Sequence, residues 1–208
     1  MLDRSRRLIL VGLLLSALTG AGCSSDTEGA VLLVDAQFNP VAAISAVGPV
    51  NTSNGVAQSF TVINDGKLER FWLLLSQGTS IDSGTIRISI RPVVGGVPNA
   101  ALGTSIITPI DVDTTTLPTL GAETFTMFDV GDQPGREVVT GEIYAMVVEL
   151  VSRSATPGDG NEVVRFLGID GSGGDPYADG TASQDAGGGY VVSPTSDDYL
   201  FRTFVLVP

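Results

Sequence analysis

The chain has 208 residues: 23 are Asp or Glu, 11 are Lys or Arg, one is Cys and none is His, for a formal net charge of −12. Without His there is no Ser-His-Asp triad, no Cys-His dyad, no HExxH zinc site and no imidazole proton shuttle. A single Cys allows neither an internal disulfide nor a cysteine-cluster metal site, and an acidic chain repels phosphate backbones, which argues against a nucleic-acid partner.

The chain opens with Arg4, Arg6 and Arg7, then the apolar run LILVGLLLSALTG, then the small residues Ala21 and Gly22. A basic region, an apolar region and small residues in that order form a secretory signal. The apolar run over residues 8–18 is shorter than the ~20 residues that span a bilayer. The residues ending at Cys23, Leu18-Thr19-Gly20-Ala21-Gly22-Cys23, resemble the lipobox of bacterial lipoproteins. That resemblance implies cleavage before Cys23, diacylation of its thiol and acylation of the new N-terminus. Gly20 stands where the family more often has Leu. Ser24, rather than Asp, follows the Cys, which in the family favours the outer membrane. Two or three acyl chains anchor firmly where one would be marginal. The expected organisation is a signal peptide over 1–22, a lipidated Cys with a short polar tether over 23–30, and one domain over 31–208. Loss of residues 1–22 removes Arg4, Arg6 and Arg7 against Asp3, leaving 8 basic and 22 acidic residues in 186, a net charge of −14.

Beyond the tether, apolar runs alternate with turn chemistry. VLLVDAQF from Val31 and VAAISAVG from Val41 read as edge strands. VAQSFTVI from Val56 and LERFWLLLS from Leu68 follow, separated by Asn64-Asp65-Gly66. Thr85-Ile-Arg-Ile-Ser-Ile-Arg91 has the clearest period of two, with Ile86, Ile88 and Ile90 on one face of a half-buried antiparallel strand. ETFTMFDV from Glu123, EIYAMVVELV from Glu142, VVRFLGI from Val163 and YLFRTFVLV from Tyr199 complete the set, with Gly-rich turns over 171–189. No amphipathic helix of ordinary length is present. Short strands at this spacing predict an all-β, antiparallel two-sheet sandwich of jelly-roll type. The expected core takes Phe60, Phe71, Leu73, Leu75, Ile86, Ile88, Phe125, Met127, Val147, Phe166, Phe201 and Val205. Alternation sets Trp72 opposite Phe71 and Leu73 and leaves its burial open.

Several motifs recur in order. They are QSFTV from Gln58, GKL from Gly66, the Ile-x-Ile-x-Ile strand with Gly96-Val97-Pro98 and Ala101-Leu102-Gly103, FTMF from Phe125, TGEIY from Thr140, YADGTA from Tyr177 and DYLFRTF from Asp198. Together, over residues 56–206, they resemble the jelly-roll domain of bacterial exported proteins labelled "choice-of-anchor". The resemblance implies a sandwich similar to carbohydrate-binding modules and no established activity. Phe166 occupies the place where a Trp is common in that family.

Three chemistries are candidates. The loop over 170–185 carries Asp170, Asp175, Asp179 and Asp185 among Gly residues, an oxygen-rich stretch of the kind that coordinates calcium, without the EF-hand pattern. Tyr177 and Tyr190, with Asp179, Gln184 and Arg165, are candidates for stacking and hydrogen-bonding a sugar. A carboxylate pair could hydrolyse a glycoside, but no pair stands out by motif, and Glu142 and Glu149 face opposite sides of one strand. Lys67 reads as part of a turn, and Asp197-Asp198 with Arg202 as an ion pair closing the last strand. The reading is a non-enzymatic, lipid-anchored surface or envelope protein. Its membrane contact is the acyl anchor, and its further partner is a glycan or an envelope protein. The alternatives are a carbohydrate-binding lipoprotein with a structural calcium and, least, a glycosidase.

Overall fold

A computed structural model of the chain describes residues 30–208, apart from 40–43, 45, 52–54, 79–82, 120, 154–162, 172–174, 186 and 194–196. Cys23 and the signal segment therefore lie outside the described residues. In chain order the strands are β1 (Val31–Phe38), β2 (Ala46–Val50), β3 (Val56–Thr61), β4 (Gly66–Gln77), β5 (Gly84–Val94), β6 (Val97–Pro98), β7 (Ile110–Asp113) and β8 (Thr124–Asp129). They continue with β9 (Glu137–Val138), β10 (Ile143–Arg153), β11 (Val164–Ile169), β12 (Ala182–Asp185), β13 (Tyr190–Val192), β14 (Asp198–Tyr199) and β15 (Phe201–Val207). The described helical structure consists of 3₁₀ turns at Leu102–Thr104 and Thr114–Thr116.

These strands form two antiparallel sheets, as the alternating patterns require. The first runs β1-β15-β4-β11-β14, with β2 on β11 and with β8 and β9 on β4. The second runs β13-β12-β3-β10-β5-β6, with β7 on β5. Most connections cross from one sheet to the other, so neighbours in sequence lie in different layers and the sandwich closes around one core. The period of two in β5 puts Ile86, Ile88 and Ile90 fully inside, each stabilising the fold by about 1.5–3 kcal/mol through burial. From the first sheet Leu68, Phe71, Leu73, Leu75, Phe166, Phe201 and Val205 face them. Phe166 stacks on Tyr199 at 4.7 Å between ring centroids. That stacking depends on Gly48, because a Cβ there would lie 2.6 Å from the Tyr199 ring.

Register explains where the expected core is revised. β4 pairs with β8 so that Phe71 faces Phe128, while Trp72 faces Met127 and Leu74 faces Phe125. Directly opposed residues share a face. Phe128 is therefore the buried residue of β8, Met127 is 52% exposed, and Phe125 packs beside Trp72 on the outer side. Val147 belongs to a small cluster outside the second sheet, with Ala57, Ala145 and Tyr190. Lys67 is a strand residue of β4, opposite Leu206 and Glu137, not part of a turn. The Gly-rich stretch over 171–189 includes β12, whose Ala182 and Ser183 are buried against β3. Of VAAISAVG, residues 46–48 open β2, and residues 41–43 and 45 lie outside the described residues.

Candidate functional site

The residues proposed for sugar stacking do not form a platform. Tyr190 is 8% exposed, and its hydroxyl donates to Glu149 Oε1 at 3.0 Å on the outer side of the second sheet. Tyr177 is half-buried, its ring 5.6 Å from Phe38 and 5.2 Å from Phe201. Burial pushes the phenols of both tyrosines up, with nearby carboxylates adding to the effect. Gln184 lies on β12, and Arg165 lies on β11 opposite Ser76. The exposed Asp179 meets the fold through its carbonyl, which accepts from Thr61 Oγ1 at 2.9 Å.

The four aspartates of the oxygen-rich loop take separate places. Asp185 Oδ1 accepts from the backbone N–H of Gly187 and of Gly189, and so builds the β12–β13 turn. Asp170 is exposed after β11. Asp175 turns instead toward Asp198, and both carboxylates accept the Tyr177 N–H, at 3.0 and 3.1 Å. Among the described residues no three acidic side chains are grouped so as to hold a metal ion.

Asp198 joins the two sheets from inside. It is 2% exposed, and its Oδ1 accepts from Gln58 Nε2 at 2.9 Å. Gln58 Oε1 in turn accepts the Tyr199 N–H at 2.7 Å. Burial lifts the Asp198 carboxyl to about 7, opposed by the Gln58 and Tyr177 bonds and reinforced by Asp175. The expected ion pair with Arg202 does not form, because Asp198 points inward and Arg202 outward. Beside Asp198 lies a cavity of about 60 Å³, lined by Asp175, Thr181, Ser193, Asp197 and Asp198 among others. It has room for a few waters.

A chemically distinctive surface is the outer face of the first sheet, and strand parity builds it. With Phe71 and Leu73 inside, Arg70 and Trp72 point out, and the pairing with β15 sets Arg202 opposite Trp72 and Phe204 opposite Arg70. The Trp72 ring lies 5.1 Å from Phe204 and 6.2 Å from Phe125. The Arg202 guanidinium sits 5.5 Å from the Trp72 ring centroid and 5.4 Å from that of Phe125, and Arg70 sits 5.9 Å from Phe204. Among the described residues neither arginine makes an ion pair, unlike Arg87 with Asp111, Arg91 with Glu149 and Arg136 with Glu69. Arg70 Nε, Trp72 Nε1 and Arg202 Nε have no hydrogen-bond acceptor. Stacking on aromatic rings therefore stands in for carboxylates, at about 0.5–1 kcal/mol per contact at exposed sites. At the β1 edge, register adds Leu32 beside Leu206 and Val34 beside Phe204.

The outer face of the second sheet is built differently. Arg91 is 1% exposed, pairs with Glu149 and donates to Ser89 Oγ at 2.9 Å. Tyr190 lies over Ala57, Ala145 and Val147 with Val93 and Val97 alongside. Near one end, Pro92, Val93, Glu142, Ile143 and Tyr144 line a shallow cleft of about 350 Å³. The Tyr144 hydroxyl donates there to Glu142 at 2.5 Å.

The aromatic–arginine face was absent from the sequence-derived candidates, although its signal was there. Alternation through Phe71, Leu73 and Leu75 in LERFWLLLS, and through Phe201, Thr203 and Val205 in FRTFVLV, places Arg-x-Trp and Arg-x-Phe on the side away from Phe71 and Phe201. No protein-family model matches the chain, and no curated protein is significantly similar to it.

Proposed function

We propose that this chain is a lipid-anchored, non-enzymatic interaction module of the bacterial cell envelope, held by acyl chains on Cys23 and making contact through the outer face of its first sheet. The observation that carries the contact face is the Trp72–Phe125–Phe204 group with Arg70 and Arg202 over it and no carboxylate paired to either. The lipobox-like LTGAGC at the end of an apolar signal supports the anchor. The complete lack of His and the single Cys support a non-catalytic role.

Cys23→Ser tests the anchor. The variant is expected to lose acyl labelling and to keep residues 1–22 uncut, read as a higher mass; acyl labelling that survives the substitution contradicts the reading. A glycan-binding lipoprotein is the second reading, favoured by the same half-buried rings rather than by Tyr177 and Tyr190. A glycan array with the Cys23→Ser chain separates the two. A specific hit that Trp72→Ala abolishes would establish glycan recognition in place of the envelope-contact reading, and no hit is expected.

A further inference from the structure

We infer that the outer face of the first sheet lies against the anionic headgroup surface of the same bilayer that holds the Cys23 acyl chains. This rests on the anchor reading above and adds which side of the domain meets the membrane and by what chemistry.

Connectivity comes first. Seven residues separate Cys23 from Val31, so the link spans at most ~28 Å when extended and about 15 Å when flexible and relaxed. β1 therefore starts close to the bilayer. Of its first residues, the exposed Leu32 at 38% and Val34 at 46% lie on the outer face, opposite Leu206 and Phe204, while Val31 and Leu33 turn to the other side. Val34 lies beside Phe204, whose ring contacts Trp72, so the apolar strip runs from the anchored edge into the aromatic group. Tryptophan and its aromatic neighbours suit the headgroup depth of a bilayer, where apolar rings meet polar surroundings.

Charge is the second support. The chain is strongly acidic, yet this one face presents Lys67, Arg70, Arg165 and Arg202 outward. The opposing acids are Asp129 across from Arg70, Glu137 across from Lys67, and Glu123, which acts on Arg165. Asp129 already accepts the Gly131 N–H at 3.0 Å. Anionic lipid headgroups supply the counter-charge that Arg70 and Arg202 lack. A neutral glycan would leave both guanidinium groups uncompensated, and a second copy packed face to face would bring two arginine pairs together.

Trp72 is the only tryptophan of the chain, so its fluorescence reads this face alone. The acylated protein, purified from bacterial membranes, is incorporated into vesicles of phosphatidylglycerol and phosphatidylcholine carrying brominated acyl chains. The expected result is a blue-shifted, quenched Trp72, with quenching much weaker in pure phosphatidylcholine. In the Cys23→Ser chain, partition onto anionic vesicles is expected to fall at least tenfold in R70E/R202E, since each cation near such a surface is worth a factor of about five. If that double variant melts early, R70Q/R202Q replaces it, with a smaller loss expected. Acylated, anchored protein whose Trp72 is unquenched overturns the inference and leaves the anchor standing. Quenching of the Cys23→Ser chain, joined to a cell-made protein without acyl chains, supports the face and removes the anchor. Trp72 burial that appears without vesicles and grows with protein concentration would assign the face to a second copy and overturn the inference.

Discussion

The two outer faces of this sandwich use the same ingredients to opposite ends. Each carries arginines beside aromatic or apolar side chains on a two-residue repeat. On the second sheet Arg91 is sealed under its neighbours, with Glu149, Ser89 and, through Glu149, Tyr190 completing its bonds. On the first sheet Arg70 and Arg202 lie across rings with no carboxylate to meet them. A buried charge must be paired by the protein itself, because water cannot reach it. A half-exposed one can remain unmatched and be met from outside. The difference separates an arginine that holds the fold from arginines that are free to hold something else.

The largest loss of stability caused by a substitution should come from breaking the sealed pair. Arg91→Ala leaves Glu149 partly buried without its cation and is expected to cost about 3 kcal/mol, the lower end for buried pairs because Glu149 keeps some solvent contact. Urea unfolding measures it. A loss below 1 kcal/mol would mean that Arg91 is no more structural than its counterparts on the first sheet.

Next comes the interior joint between the sheets. Asp198 titrates near 7 in the fold against an ordinary value of 3.8. The folded state therefore holds its proton more tightly than the unfolded chain does. Stability from this group is full below pH 4, declines as pH rises to 7 and is flat above. The decline is at most about 4 kcal/mol. Asp198→Asn, which keeps an acceptor for Gln58, should flatten that part of the pH profile. A wild-type and variant difference that does not change between pH 4 and 7 would contradict it.

The loosely held face should respond least. Arg202→Gln removes two ring contacts and is expected to lower stability by no more than about 1 kcal/mol. Met127→Lys, at an exposed position, should change it by less than about 0.5 kcal/mol. A loss of several kcal/mol at Arg202 in thermal or urea melts would place it among the structural arginines and erase the contrast.

Much of the fold was legible because burial on one side only leaves a period of two, as at Ile86, Ile88 and Ile90. β4 was not fully legible. LERFWLLLS is apolar on both faces, so the direction of Trp72 was decided by cross-strand register, and with it the outward positions of Phe125 and Met127. β12 was hidden because Ala182-Ser183-Gln184-Asp185 is polar and Gly-flanked, and its burial comes from pairing with β3 and β13 and from packing on the core. Tyr190 read as a sugar-stacking candidate near the Gly-rich stretch, whereas the β12–β13 hairpin lays it over Ala145 and Val147. Asp175 and Asp198 lie too far apart in sequence for any local pattern to join them. The outer-face arginines were visible in alternation, but their lack of carboxylate partners appears only in three dimensions.

The most direct test of the contrast compares two single variants with the same change in net charge. R202Q acts on the face of the first sheet, and R87Q on the second sheet, where Arg87 already pairs with Asp111. Partition of the Cys23→Ser chain onto phosphatidylglycerol vesicles is the readout. The account predicts about a fivefold loss for R202Q and essentially none for R87Q. Equal losses would mean that overall charge, not this face, governs binding, and would contradict it.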